Sequence, residues 1–228
     1  VEAIELLKAA GGMAVLAHPG KINYDNATVE NATMKLYVDY IEGSFKAVYT
    51  ADDLLSNLSS GNDVMIMEDL DFTGVEWDMF VWSYPYGGKL MGNGHKLSNI
   101  TVNIAPENVN GQEYLYAGLF GKLEETAVIS DVTFENLQIN VQEGTLGFGD
   151  VENHITIGLL AGEIEEGATI ENVTLENMTI WSHGVTGGIV GRAVAPRNAN
   201  APADFNVISN CHMTDSCRIV AVWANDKK

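Results

Sequence analysis

The chain has 228 residues, of which 46% are hydrophobic and 19% charged; that is enough apolar side chain for a sizeable core and excludes a disordered polar chain. Twelve Lys and Arg stand against 31 Asp and Glu, for a formal net charge of −19, which excludes nucleic acid, whose phosphates need basic neutralisation, and anionic membrane surfaces. No apolar run approaches the ~18 residues of a membrane span, so no membrane insertion is expected, and the acidic balance suits an extracellular surface.

Val1, Ile4, Leu6 and Leu7 fall on one side of a short helix that Gly11-Gly12 ends, and Met13-Ala-Val-Leu-Ala17 reads as a short strand stopped by His18-Pro19-Gly20. The stretch from Glu2 to Gly20, with its Ala9-Ala-Gly-Gly12 and Ala14-Val-Leu-Ala-His-Pro19, resembles the polymerase and histidinol phosphatase (PHP) family. The resemblance implies that His18 is a metal-ligand histidine and that the segment is a fragment of a metal-dependent phosphoesterase. The family's other ligands, including its His-x-His motif, are absent, and one imidazole cannot hold a catalytic metal that needs three or more ligands. Residues 21–44 are mixed and read as an edge or linker, with Met34 to Ile41 apolar enough for a strand. Residues 1–44 are therefore expected to be an N-terminal helix, strand and linker, and 45–228 a second domain. Because the sequence opens on Val1 rather than Met, it is expected to be a fragment or a processed form.

Thr50 to Leu58 predicts a helix: Thr50 is the N-cap, Asp53 stands three residues on, Leu54, Leu55 and Leu58 form the stripe, and Gly61 ends it. Val64, Ile66, Leu70 and Phe72 follow with the period of a half-buried strand. Gly92-Asn-Gly94 is a tight turn, and Ile100, Val102 and Ile104 mark another strand.

The rest of the chain repeats. Gly118-Leu-Phe-Gly121 precedes Ile129-Ser-Asp-Val-Thr-Phe-Glu-Asn-Leu-Gln-Ile139, and Gly158-Leu-Leu-Ala-Gly162 precedes Ile170-Glu-Asn-Val-Thr-Leu-Glu-Asn-Met-Thr-Ile180. Aligned starts at Leu97, Ile129, Ile170 and Ile208 are 32, 41 and 38 residues apart. Within a unit the apolar parity flips, from Val132 and Phe134 to Leu137 and Ile139, and from Val173 and Leu175 to Met178 and Ile180. A flip means that the chain bends, at Glu135-Asn136 and Glu176-Asn177, so that both strands face one interior. Units that each bury their inner face only against neighbours describe an all-β right-handed parallel β-helix with about three strands per coil and a short N-terminal helical segment. Stacking places Asn99, Asp131, Asn172 and Asn210 in one ladder. The helix at Thr50 caps the first coil, where an open end would expose strand edges.

These units are similar to GLUG-motif repeats, and Met91-Gly-Asn-Gly-His-Lys-Leu-Ser-Asn-Ile-Thr-Val102 is similar to the segment that usually precedes them. The resemblance spans about residues 45–219. It implies a bacterial secreted or cell-surface module, adhesin-like and non-enzymatic, with a host or microbial glycan or a surface protein as partner. The alternatives are a polysaccharide-active β-helix lyase or hydrolase and the PHP-type phosphoesterase fragment; the enzyme would need clustered acids with Arg or Lys on one outer face.

Several residues are candidates for chemistry. Asp69 and Asp71 share the outward face of one strand and can bind Ca²⁺ or act as acid and base; their alternative is a solvated face. Glu135 stacks on Glu176, and Glu124-Glu125 on Glu165-Glu166, a stripe that a divalent cation would screen. No other cofactor is expected. Trp77, Trp82, Tyr84 and Tyr86 form either a sugar-stacking platform or an aromatic layer buried under the first coil. The five histidines show no metal-binding spacing, and Cys211 and Cys217 read as small buried hydrophobes.

Overall fold

The computed structural model describes residues 44–77, 85–104, 114–141, 154–182, 185–194 and 205–221. All belong to one of the two units into which the chain divides, residues 43–228. The expected helix and strands before residue 44, with His18, lie outside the described residues.

Among the described residues the fold is all-β apart from one helix, and every strand pairing is parallel. The longest sheet begins with β1 (Lys46–Val48), β2 (Val64–Ile66) and β4 (Lys89–Met91), then runs through β9 (Val128–Glu135) and β13 (Thr169–Glu176) to β17 (Val207–Ser209). Along its second half, β3 (Leu70–Asp71) pairs with β5 (Lys96–Ser98), β5 with β9, and β13 with β18 (His212–Met213). A second sheet joins β6 (Thr101–Ile104), β10 (Gln138–Val141), β14 (Thr179–Ser182) and β19 (Arg218–Ala221). A third joins β7 (Tyr114–Ala117), β11 (His154–Ile157) and β15 (Val185–Thr186), and a fourth β8 (Phe120–Leu123), β12 (Ala161–Ile164) and β16 (Val190–Ala193).

Each sheet thus draws on successive repeat units, and equivalent residues stack. Leu90, Ile129, Ile170 and Ile208 form one column, 39, 41 and 38 residues apart, and Leu97, Phe134, Leu175 and Met213 another. This corrects the first step of the sequence alignment, because Ile129 pairs with Leu90 and Leu97 pairs with Phe134. Later units keep the expected register, and all eight residues expected to point inward, Val132 to Ile139 and Val173 to Ile180, are buried.

A complete unit has four strands rather than about three. The segment Ala117-Gly-Leu-Phe-Gly121 turns a corner at Gly118-Leu119 and serves two sheets. A Cβ on Gly118 would lie 2.6 Å from the Gly158 carbonyl oxygen, and one on Gly158 would lie 2.6 Å from the Gly191 nitrogen. Only glycine allows backbones of successive units to approach so closely, while Leu119 and Leu159 fill the inside of the corner with no exposure.

Helix α1 (Ala51–Ser59) forms where the capping pattern places it, with the Asp53 backbone N–H donating to Thr50 Oγ1 at 3.1 Å. Leu54 and Leu58 are buried, and the helix packs on β1 and β2 at the start of the long sheet. Phe72, Trp77, Phe120 and Tyr86 make a buried aromatic layer, with centroid separations of 5.2, 6.1 and 5.3 Å.

Two polar columns hold the bends. Asn93, Asp131, Asn172 and Asn210 all have φ between 50 and 54°, and Asn99, Asn136 and Asn177 lie between 51 and 61°. Left-handed backbone costs a residue with a Cβ about 1–2 kcal/mol, and Asn and Asp tolerate it best. In the first column Asn172 Nδ2 donates to Asp131 Oδ1 at 2.9 Å and Asn210 Nδ2 to Asn172 Oδ1 at 2.7 Å. In the second, Asn99 Nδ2 donates to Asp71 at 2.9 Å, Asn136 to Asn99 at 3.0 Å, and Asn177 to Asn136. The expected ladder therefore exists, but Asn99 belongs to its neighbour. Replacing Asn136 by Ala removes two ladder hydrogen bonds worth about 1 kcal/mol each and leaves strained backbone. Urea unfolding should show a loss of about 2–3 kcal/mol for Asn136→Ala, and about 1 kcal/mol less for Asn136→Gly, which relieves the strain alone.

Candidate functional site

The fourth sheet carries an ionic cluster. Lys122, Glu163 and Arg192 occupy paired positions on β8, β12 and β16, so each lies beside the next across the sheet. Lys122 Nζ is 3.2 Å from Glu163 Oε1 and 2.6 Å from Glu165 Oε1. Arg192 Nη1 is 2.9 Å from Glu163 Oε2 and donates a hydrogen bond of 2.8 Å to the Tyr116 hydroxyl. The contact to Glu163 Oε2 is close enough for an ion pair but is not aligned as a hydrogen bond, and this oxygen is buried without a hydrogen-bond partner. Glu163 is the most enclosed member, with its side chain 4% exposed, against 32% for Lys122 and 56% for Arg192. A buried carboxylate needs such flanking cations, because an unpaired one would be severely penalised.

The cluster floors an open depression of about 240 Å³, rimmed by Glu125, Glu165, Glu166 and Val194. The Lys122 ammonium is held above its ordinary pKa, first by its hydrogen bond to Glu165 and then, against the effect of burial, by Glu163. Burial raises the Tyr116 phenol, the Glu163 charge adds to this, and Arg192 opposes it. Donors (Lys122, Arg192) and an acceptor (Glu165) therefore line one surface, with Glu163 enclosed beneath them and the Tyr116 hydroxyl bonded to Arg192. Such a surface can hydrogen-bond adjacent hydroxyls of a polyol. Of Glu124-Glu125 and Glu165-Glu166, expected to stack, Glu125, Glu165 and Glu166 line this depression.

The other sequence candidates lie elsewhere. Asp69 and Asp71 are held in separate networks. Asp69 accepts from the Lys96 backbone N–H at 2.9 Å and lies 3.1 Å from His95 Nδ1; these bonds, the Lys96 one first, keep its pKa below the usual carboxylate range. Asp71 Oδ1 accepts from Asn99 Nδ2 and from the backbone and hydroxyl of Thr73, the Asn99 bond doing most to lower its pKa. Glu135 and Glu176 stack in register as expected, but the cation between them is Lys96, whose Nζ is 3.3 Å from Glu135 and 3.7 Å from Glu176. Among the described residues no group of three or more His, Cys, Asp or Glu is placed to hold a metal ion.

Trp77 and Tyr86 are 1% and 2% exposed, so these two are an interior aromatic layer and not an open stacking platform. Trp77 Nε1 donates to the Leu119 carbonyl at 2.7 Å and the Tyr86 hydroxyl to the Asn62 carbonyl at 3.1 Å. Burial, with Asp63 nearby, holds the Tyr86 phenol protonated well above the usual tyrosine range. Trp82, Tyr84, His183 and the side chain of His154 lie outside the described residues. Cys211 and Cys217 are free and half-buried rather than buried.

Sequence reasoning passed over Lys122, Glu163, Arg192 and Tyr116. The signal was the residue after the last Gly of each motif: Gly121-Lys122, Gly162-Glu163 and Gly191-Arg192 alternate in charge. No protein-family model, no curated protein and no solved structure matches the chain.

The Lys96 contacts give a direct test of the cation stripe. Native protein should melt at the same temperature in chelator and in millimolar Ca²⁺. Lys96→Gln leaves Glu135 and Glu176 facing each other uncompensated, and its melting temperature should fall in chelator and recover with Ca²⁺. Scanning calorimetry in both buffers reads both effects.

Proposed function

We propose that the chain is a right-handed parallel β-helix module of a secreted or surface protein, serving as a rigid, adhesin-like binding and display scaffold rather than as an enzyme. The observation that carries this reading is the unbroken parallel register of all four sheets from one repeat unit to the next. Strand-to-strand crossovers within parallel sheets run right-handed, because twisted strands pack back that way. In this arrangement the side chains of outer positions stand in straight rows, as the Asn140–Asn103 bond of 3.0 Å and the Lys122–Glu163–Arg192 row do. The resemblance to GLUG repeats agrees with it: the motif's glycines stand at the corner where units touch, and its Asn residues at the left-handed bends.

The partner is a glycan with free hydroxyls, seated on the depression around Glu163. A neutral glycan suits it better than an acidic one, since a net charge of −19 repels polyanions at range. A second reading, a polysaccharide-active enzyme, is favoured by one feature: an enclosed carboxylate, Glu163, stands with a cation and a phenol on an outer face, as acid–base chemistry needs.

A glycan array probed with the full chain, with and without Ca²⁺, together with a depolymerisation assay on the same glycans, separates the two. The scaffold reading predicts Ca²⁺-independent binding without product, weakened about tenfold by Arg192→Ala. Binding to no glycan contradicts it. Product formation that Glu163→Gln abolishes while binding persists establishes the enzyme instead.

A further inference from the structure

The second sheet has an outer face unlike that of the fourth. Along β6, β10 and β14 the residues Val102, Ile104, Ile139 and Ile180 point inward with no exposure, so the residues that alternate with them point out. Two outward rows result, with strand neighbours about 4.8 Å apart. One row runs Asn103, Asn140, Trp181, and the other Gln138, Thr179, Arg218. None of the six is acidic, whereas the first sheet carries Glu135 and Glu176 outward and the fourth Glu163. Trp181 is 46% exposed, although so large an apolar ring is usually covered. Beside it, Asn140 Nδ2 donates to Asn103 Oδ1 at 3.0 Å, which fixes the plane of the Asn140 amide. Asn140 is the neighbour of Trp181 across the strand pair, and Thr179 lies two residues before it on β14, about 7 Å away.

We infer that this face is a second carbohydrate contact, on which the ring of a neutral sugar stacks against the Trp181 indole while its hydroxyls bond the Asn140 amide and the Thr179 hydroxyl. A pyranose ring presents an apolar C–H face and a rim of hydroxyls, and an indole flanked by an amide and a hydroxyl matches both at once. A protein partner would need a contiguous apolar core to dock on, but five of the six residues here are polar. Nucleic acid or an acidic glycan would meet one cation, Arg218, in a chain of net charge −19. The Asn140 amide is held by Asn103 before any ligand arrives, so binding costs little further ordering. Register also sets Gln138 beside Thr179, which lets several linked sugars lie across successive units. The inference rests on the reading of the module as a glycan binder, but it uses a sheet that contributes no residue to the depression around Glu163.

N-bromosuccinimide oxidation of the full chain, its thiols blocked and the products read by peptide mass spectrometry, tests this with and without neutral oligosaccharides of glucose, mannose and galactose. In the free chain Trp181 should oxidise ahead of the buried Trp77. A bound oligosaccharide should protect Trp181 in the native chain and equally in Arg192→Ala, which alters only the depression. By calorimetry, Trp181→Ala should weaken binding of the protecting sugar about tenfold, and Trp181→Phe, which keeps an aromatic face, less. Should those variants not fold, protection in the native chain still decides. Binding that leaves Trp181 reactive overturns the inference, and its loss in Arg192→Ala would place the sugar in the depression instead. Protection that disappears in Arg192→Ala means that Trp181 reports on the depression, and overturns it too. Binding to none of these sugars also overturns the inference, and the same result across a full glycan array overturns the wider glycan reading with it.

Discussion

Parallel pairing in register between repeat units is the constraint on which everything else rests. It sets each residue directly beside its counterpart in the next unit, about 4.8 Å away. Every position must then tolerate its own kind as a neighbour. Apolar side chains do so freely, and the columns through Ile129 and Phe134 have no exposure in the middle units. Amides do so by donating to one another, which is why Asn and Asp, each carrying an acceptor, occupy the left-handed bends. Charged residues tolerate it only with a counterion between them.

That last requirement accounts for the polar surface. Where Glu135 stacks on Glu176, Lys96 reaches both from the preceding unit. Where the position after the motif's last glycine is ionised, the sign alternates from Lys122 to Glu163 to Arg192. The central member of that row is flanked on both sides and becomes enclosed, while its neighbours keep solvent contact. The ionic cluster proposed as a ligand site is thus a product of the same stacking rule that builds the core. At the middle of that row donors and acceptors are aligned by strand pairing, beside an open depression.

Much of this was legible in the sequence, because the signals are local. The alternation from Val64 to Phe72 named interior residues, though the segment expected as one strand divides into β2 and β3, and the parity flip at Glu135-Asn136 named a bend without any long-range information. The register of the first unit was not legible. Ser98-Asn99-Ile100 matches Ser130-Asp131-Val132 in letters, but both bends of a unit need the same left-handed residue chemistry, so a small polar motif fits either bend. Pairing decides, and it sets Ser98 beside Glu135. The corner at Gly118-Leu119 was hidden because a short apolar run does not show where a sheet changes. The ionic cluster was hidden because its members are about 41 and 29 residues apart in sequence and meet only across strands.

Register is the central claim, and cysteine pairing reads it most directly. In a chain with Cys211 and Cys217 replaced by serine, Ser98→Cys with Glu135→Cys places two thiols at paired positions, within the Cα separation a disulfide accepts. Mild oxidation should close that bond nearly completely, as a shift on non-reducing gels, while Ser98→Cys with Ser130→Cys should stay reduced. Closure of the second pair and not the first would contradict the stacking described here.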